Sequence, residues 1–408
     1  MLLLLLSACA PSLICGTNTL EVDGVCVGVE DTDADDTGGE VIEEGPTWEG
    51  NLTVTSVEDM TAFCADYTRI SGNLVLSGTA VDTRELACLE AIEGDLRVGV
   101  ESPLVDLYLP ALVELGDDVH ITSARSLTRI DLPLLQQIGD DLYLADCNAL
   151  EELLLPELVF ANDDLRLLYN DSLHTVSMPK LEFVSGYFDF WNNNEVVELD
   201  LPSLQEADVD FVVKDNFRMQ LLGLESMGYI KGDFLVKGNP SLTTLDLSSL
   251  ESAALSLSVQ SLPAEVISLP VLTEVGTTLQ VSGSLDTKEI SAPKLTSIGL
   301  DLDLAGATGL QTLDFQSLEE VGRGLNVTGS GLERLDGLPA LRSAGGDLLI
   351  QNNPGLRDIT GLYGMERVGG DVRIMSSPQL PQGQANELVV RIGEDNIGGE
   401  VQSFNNNG

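Results

Sequence analysis

The chain has two histidines, His120 and His174, and only 20 Lys and Arg against 66 Asp and Glu, giving a formal net charge of −46. A surface this acidic repels nucleic acid and anionic lipid, so neither is an expected partner. Aromatic residues make up 5 % of the chain, so a core must be built mainly from aliphatic side chains. No Cys-x-x-Cys pair or Cys/His cluster offers a zinc site. No P-loop, Gly-x-Ser-x-Gly or strand-to-helix Gly-x-Gly-x-x-Gly supplies a phosphate cradle or a nucleophile elbow. The two histidines fall in different frames of the repeat described below, and carboxylates are so common that no pair stands out for acid–base work. The apolar run that opens the chain is too short to span a bilayer.

What the sequence has in abundance is one pattern, Gly-(Asp)-x-apolar-x-apolar, returning every 22 to 24 residues. Examples are Gly94-Asp95-Leu96-Arg97-Val98, Gly139-Asp140-Asp141-Leu142-Tyr143-Leu144 and Gly370-Asp371-Val372-Arg373-Ile374. Let position zero be the first apolar residue of each copy. The zero positions then read Leu52, Leu74, Leu96, Val119, Leu142, Leu165, Phe188, Phe211, Phe234, Leu255, Leu279, Leu302, Leu325, Leu348 and Val372. A fixed period of this length predicts a stacked solenoid. Alternation at zero and +2 predicts a short strand in each coil. A second short strand should end at Leu109-Pro110, Leu132-Pro133, Leu155-Pro156, Met178-Pro179 and Leu201-Pro202, where proline stops the ladder. About fifteen coils spaced ~4.8 Å apart make a rod of roughly 70 Å, which lets a long chain bury a one-dimensional core.

Four columns of this repeat carry side chains of interest. Position +5 holds Asn170, Asn193, Asn216, Asn239 and Asn353, with Cys147 in the same slot; stacked Asn can satisfy turn backbone in successive coils. Position −1 holds Asp95, Asp118, Asp141, Asp164, Asp210, Asp233, Asp301, Asp347 and Asp371. Carboxylates ~4.8 Å apart in water repel by roughly 0.9 kcal/mol per neighbouring pair. This makes Asp118, Asp141 and Asp164 weak candidates for calcium, against the simpler preference of Asp for a turn before a strand. Otherwise no cofactor is expected. Positions +1 and +3 should face outward. They place Tyr143, Arg166, Leu168, Trp191, Lys214 and Lys237 in one aromatic and basic patch on an acidic rod, the residue types that dominate binding hot spots.

The composite pattern GxLxI…N…L..L.LP.L..IG resembles the receptor L-domain repeat over about residues 50–408. The resemblance implies a right-handed parallel β-helix related to leucine-rich repeats, a fold found in ligand-binding ectodomains of growth-factor receptors and in fungal cell-wall proteins. Leucine-rich repeats accept Asn or Cys at the corresponding turn, so the resemblance makes Cys147 a buried structural thiol. The expected fold class is all-β, with short capping helices at the ends. The chain has many more coils than one L domain, and growth-factor recognition does not carry over.

At the N-terminus, Leu6-Ser7-Ala8-Cys9 resembles a bacterial lipobox, although no Lys or Arg precedes it. The resemblance implies a signal peptide over 1–8 and lipidation of Cys9. Ala10 rather than Asp after the Cys implies sorting to the outer membrane. Cys15 and Cys26 bracket a small loop, spanning 9–26, like those following the lipobox in many deltaproteobacterial lipoproteins. Cys64 and Cys88 flank the first full coil, and two disulfides suit an oxidising envelope compartment. Residues 27–49 hold nine acids and no base, the composition of a solvated tether. Trp48 is expected to pack on the first coil. The solenoid spans 50–378 and a C-terminal cap spans 379–408, with a short helix from Ala385 to Ile392 and a last strand restarting at Val401.

These features point first to a non-catalytic, lipid-anchored, surface-exposed protein of the cell envelope whose solenoid recognises a protein or a glycan. A structural envelope spacer without a specific ligand is the second reading. A carbohydrate-active β-helix enzyme is the third. Asn51-Leu52-Thr53 and Asn326-Val327-Thr328 match glycosylation sequons, which leaves a eukaryotic wall protein as a further alternative.

Overall fold

A computed structural model describes residues 19–22, 25–28, 45–78, 82–100 and 102–407. The chain divides into two units, 1–44 and 45–408. Of the first, the structure describes an antiparallel hairpin in which Thr19–Val22 pairs with Val25–Gly28. The expected lipid site at Cys9, and Cys15 with any bond it makes, lie outside the described residues.

The second unit is an all-β solenoid of parallel strands. Its principal sheet has 16 strands, from Leu52–Val54 to Val401–Phe404. Each strand pairs in register with the next coil, zero position to zero position, as in Val119↔Leu142↔Leu165↔Phe188. A second sheet has 15 strands of two residues each, from Thr47–Trp48 to Arg367–Val368. These strands are too short to show alternation and were not anticipated as strands. The third face carries three small sheets of four, three and three strands. Strands such as Asp106–Tyr108 and Arg129–Asp131 stop at the Leu-Pro pairs, as the proline column implies, whereas Leu221–Gly223, Thr244–Asp246 and Thr312–Asp314 end without a proline.

Apolar residues from all three faces converge on one continuous core that includes Leu142, Leu144, Leu150, Leu153, Leu155 and Ile138. Phe188, Phe211 and Phe234 stack on one another at zero, with ring centroids 4.4 and 5.4 Å apart. The bend leading into the principal sheet packs backbone on backbone. A Cβ on Gly139 would lie 1.8 Å from the carbonyl oxygen of Gly116, which explains the glycine that opens many copies.

One zero position in the sequence register is corrected. Leu257, not Leu255, pairs with Phe234 and Leu279; Leu255 is 41 % exposed. The run Leu255-Ser256-Leu257-Ser258 alternates equally well in either frame, and only a 23-residue step from Phe234 keeps the coil in line.

Both ends of the rod are covered. Helix α1 (Val57–Asp66) begins with a capping box between Ser56 and Asp59, and buries Met60 and Phe63. Trp48 packs edge-on against Tyr67, centroids 5.4 Å apart. Cys64 and Cys88 form a disulfide that ties α1 to the following coil. At the far end, helix α2 (Gln382–Ile392) buries Ala385, Leu388 and Ile392, and Val401–Phe404 adds the last rung. Among the described residues no helix is long and apolar enough to cross a membrane.

Candidate recognition face

The outward columns of the principal sheet hold the residues singled out from the sequence. Strand register makes Tyr143 the neighbour of Arg166, and makes Leu168, Trp191, Lys214 and Lys237 successive rungs of one column. The six residues therefore form one contiguous strip. Leu168 is corrected as an exposed contributor: it lies in register between buried Ala145 and Trp191 and is only 9 % exposed.

Within the strip the polar groups contact one another. The Lys214 Nζ sits over the Trp191 ring, 3.4 Å from its centroid. Arg166 pairs with Asp164 at 2.6 Å, approaches Asp189 at 3.4 Å and lies over the Tyr187 ring at 5.0 Å. Asp189 is 7 % exposed, and burial pushes its carboxyl up while Arg166 and Lys214 pull it down. Tyr143 stacks on His120, centroids 5.1 Å apart. Two buried donors, Arg166 Nε and Trp191 Nε1, have no hydrogen-bond partner. Lys237 is exposed and extends the basic end of the strip.

The −1 column has a structural role that the sequence reading did not identify. Asp118 Oδ1 accepts a hydrogen bond from Asp141 N, Asp141 Oδ1 from Asp164 N, and Asp164 Oδ1 from Tyr187 N. The same bond recurs at Asp95, Asp210, Asp233, Asp301, Asp347 and Asp371. Each carboxylate thus satisfies a backbone N–H of the next coil, where the bend leaves the sheet ladder. Asp118, Asp140 and Asp141 bring carboxylate oxygens within 4.8 Å of one another, as do Asp141, Asp163 and Asp164. Burial first, with the neighbouring carboxylates, pushes Asp141 and Asp163 above the usual range; the bond from Asp164 N opposes this at Asp141.

A further column went unnoticed. Position +4 adopts positive φ in coil after coil, at Ser123, Asp146, Tyr169, Asn192, Asp215, Ser261, Asn352, Ser376 and Asn405, and at Gly238, Gly283, Gly306 and Gly329. Its enrichment in Asn, Asp, Ser and Gly was the available signal. This left-handed residue turns the chain so that position +5 points inward. There Asn170, Asn193, Asn216 and Asn239 are fully buried in a ladder. The Oδ1 of each accepts from the backbone N of the preceding slot, beginning at Cys147 N, and each Nδ2 donates to a carbonyl of the preceding coil. Cys147 is fully buried, and burial pushes its thiol up, away from the reactive thiolate.

His120 is exposed on the principal sheet, whereas exposed His174 precedes the third-face strand Thr175–Ser177 and contacts Thr175 Oγ1. The two thus belong to different faces of the coil. No family model matches the chain, and no curated protein sequence matches it.

Proposed function

We propose that the chain is a non-catalytic recognition module, held at a cell surface by a lipidated Cys9, that engages a protein or glycan through the strip from Tyr143 to Lys237. The observation that carries this reading is the register of the principal sheet. It aligns aromatic and cationic side chains on successive rungs of a rigid surface. A rigid sheet also presents them at little entropic cost.

The second reading is an envelope spacer. It is favoured by the cation–π contact of Lys214 with Trp191 and the pairing of Arg166 with Asp164, which fill part of the strip from within. Glycan-array and surface-protein pull-down experiments with the full chain, beside a Trp191→Ala/Lys214→Ala variant of unchanged circular dichroism, separate the two. The recognition reading expects a ligand that is lost in the variant. Ligand capture that survives the double substitution would remove the strip from the proposal. No capture by either protein favours the spacer.

A further inference from the structure

A groove of about 500 Å³ opens on the principal sheet near its C-terminal end, six coils from Trp191 and therefore roughly 30 Å away at one coil per ~4.8 Å. It arises because the −1 column holds Gly324 where most coils hold Asp, Asn, Ser or Thr, with Gly346 beside it. Its walls include Asp301, Asp303, Asn326, Asp347, the half-buried Leu349 and Arg323, whose guanidinium is taken up by Asp301.

Elsewhere the molecule shows what fills this position. Three coils carry Arg at +1, and each reaches back to the Asp at −1 of its own coil: Arg97 to Asp95 at 2.7 Å, Arg166 to Asp164 at 2.6 Å and Arg373 to Asp371 at 2.7 Å. The coil of Asp347 has Leu349 at +1 instead. Asp347 Oδ1 accepts from Asp371 N, and among the described residues Asp347 pairs with no cation. Asp303 is held only by neutral donors, Gln280 Nε2, Asn326 Nδ2 and Ala305 N. Asp301 alone is neutralised, by Arg323.

We propose that this groove receives the guanidinium of an arginine side chain from a basic partner protein. The head group pairs with Asp347 in the geometry that Arg373 adopts with Asp371, and the aliphatic stem lies along Leu349. Arginine fits better than lysine because each of the three filled coils uses an arginine for this pairing. The gap at Gly324 admits the incoming chain, and the −46 charge steers a basic partner toward the rod. This site is separate from the Tyr143–Lys237 strip and does not depend on it.

The test is a titration of the full chain with a dye-labelled, end-blocked Gly-Arg-Gly peptide, beside its citrulline counterpart, which keeps the shape and loses the charge. Asp347→Asn keeps an Oδ1 acceptor for Asp371 N, as Asn51 and Asn73 do for the coils that follow them. Gly324→Asn fills the gap without altering charge; a Cβ there meets nothing closer than Asp301 Oδ1 at 3.1 Å. Leu349→Arg supplies the guanidinium internally. All three variants should weaken the arginine peptide by about tenfold, whereas Glu333→Gln, outside the groove, leaves it unchanged. Citrulline should bind about tenfold more weakly than arginine. The proposal is overturned by absence of saturable binding, by equal binding of the two peptides, or by variants that bind like the unmodified chain.

Discussion

At the scale of single residues, the solenoid rests on polar side chains that stand in for backbone partners. Asn216 is the clearest case. Its Oδ1 accepts from Asn193 N, and its Nδ2 donates to Phe190 O and Asn239 Oδ1. The slot tolerates a Leu, since Leu262 occupies it. Asn216→Leu should therefore fit, yet leave a buried N–H and a buried carbonyl unpaired, at about 1–3 kcal/mol each. A denaturant midpoint unchanged from the parent protein would contradict this account. Cys147 should resist alkylation in the folded protein and react once it is unfolded, because burial both shields it and raises its pKa. Asp141 gives a pH-dependent case. Its folded pKa is raised above 3.8, so its protonated form is favoured by folding, and the stability it contributes below pH 3.8 is lost as pH rises through the folded value. Asp141→Asn keeps the acceptor for Asp164 N and removes the charge. It should raise the stability at neutral pH by less than about 1 kcal/mol after screening, and this advantage should vanish under acid conditions. Thermal melts of both proteins across that range measure it.

At the scale of elements, the ends of the rod need the most protection, since a terminal rung has a neighbour on one side only. Helix α1 meets this need at the N-terminal end, and the Cys64–Cys88 bond fastens it. Replacing both cysteines with serine should cost about 3 kcal/mol by the loop-closure relation, concentrated in the first coils. Hydrogen exchange should show loss of protection near α1 first, with the central coils unaffected. Exchange that accelerates evenly along the chain would show that α1 is not a separate cap. The sequence reading placed a staple here because the two cysteines flank one coil, and it located α2 within three residues at its start, from Ala385 to Gln382, and matched its end at Ile392. It did not identify α1 individually or the second sheet. A ten-residue amphipathic segment inserted into a strongly periodic array is masked by the array. Two-residue strands, for their part, have no pattern of their own and exist only through pairing with their neighbours.

At the scale of the whole molecule, stability is nearly a sum over coils and their interfaces. The net charge of −46 opposes this stacking, because like charges recur at one coil spacing along the same face. Raising monovalent salt across the range where the Debye length falls below the coil separation should therefore raise the thermal midpoint. The effect should be strongest for the coils of Asp118, Asp141 and Asp164, where carboxylates cluster. Unfolding should also depart from a single all-or-none step, because coils at the two ends share no contacts.

The sequence by itself determined the period, the parallel stacking, most of the inward columns and the place where the proline-marked third-face strands stop, because all of these are local and repeat many times. A signal repeated at a fixed spacing outweighs any single ambiguous residue. Tertiary structure decided what depends on the meeting of neighbouring coils. It set the frame of Leu257 over Leu255, since both fit the local alternation and only one fits the adjacent rungs. It turned the Asp column from apparent electrostatic cost into hydrogen-bond acceptors, because the backbone N–H groups they serve belong to the next coil. It also set the chemistry of the outward strip. The sequence aligns Trp191 with Lys214, but only the packed sheet brings the ammonium over the ring, buries Leu168 and leaves the groove at Gly324 open.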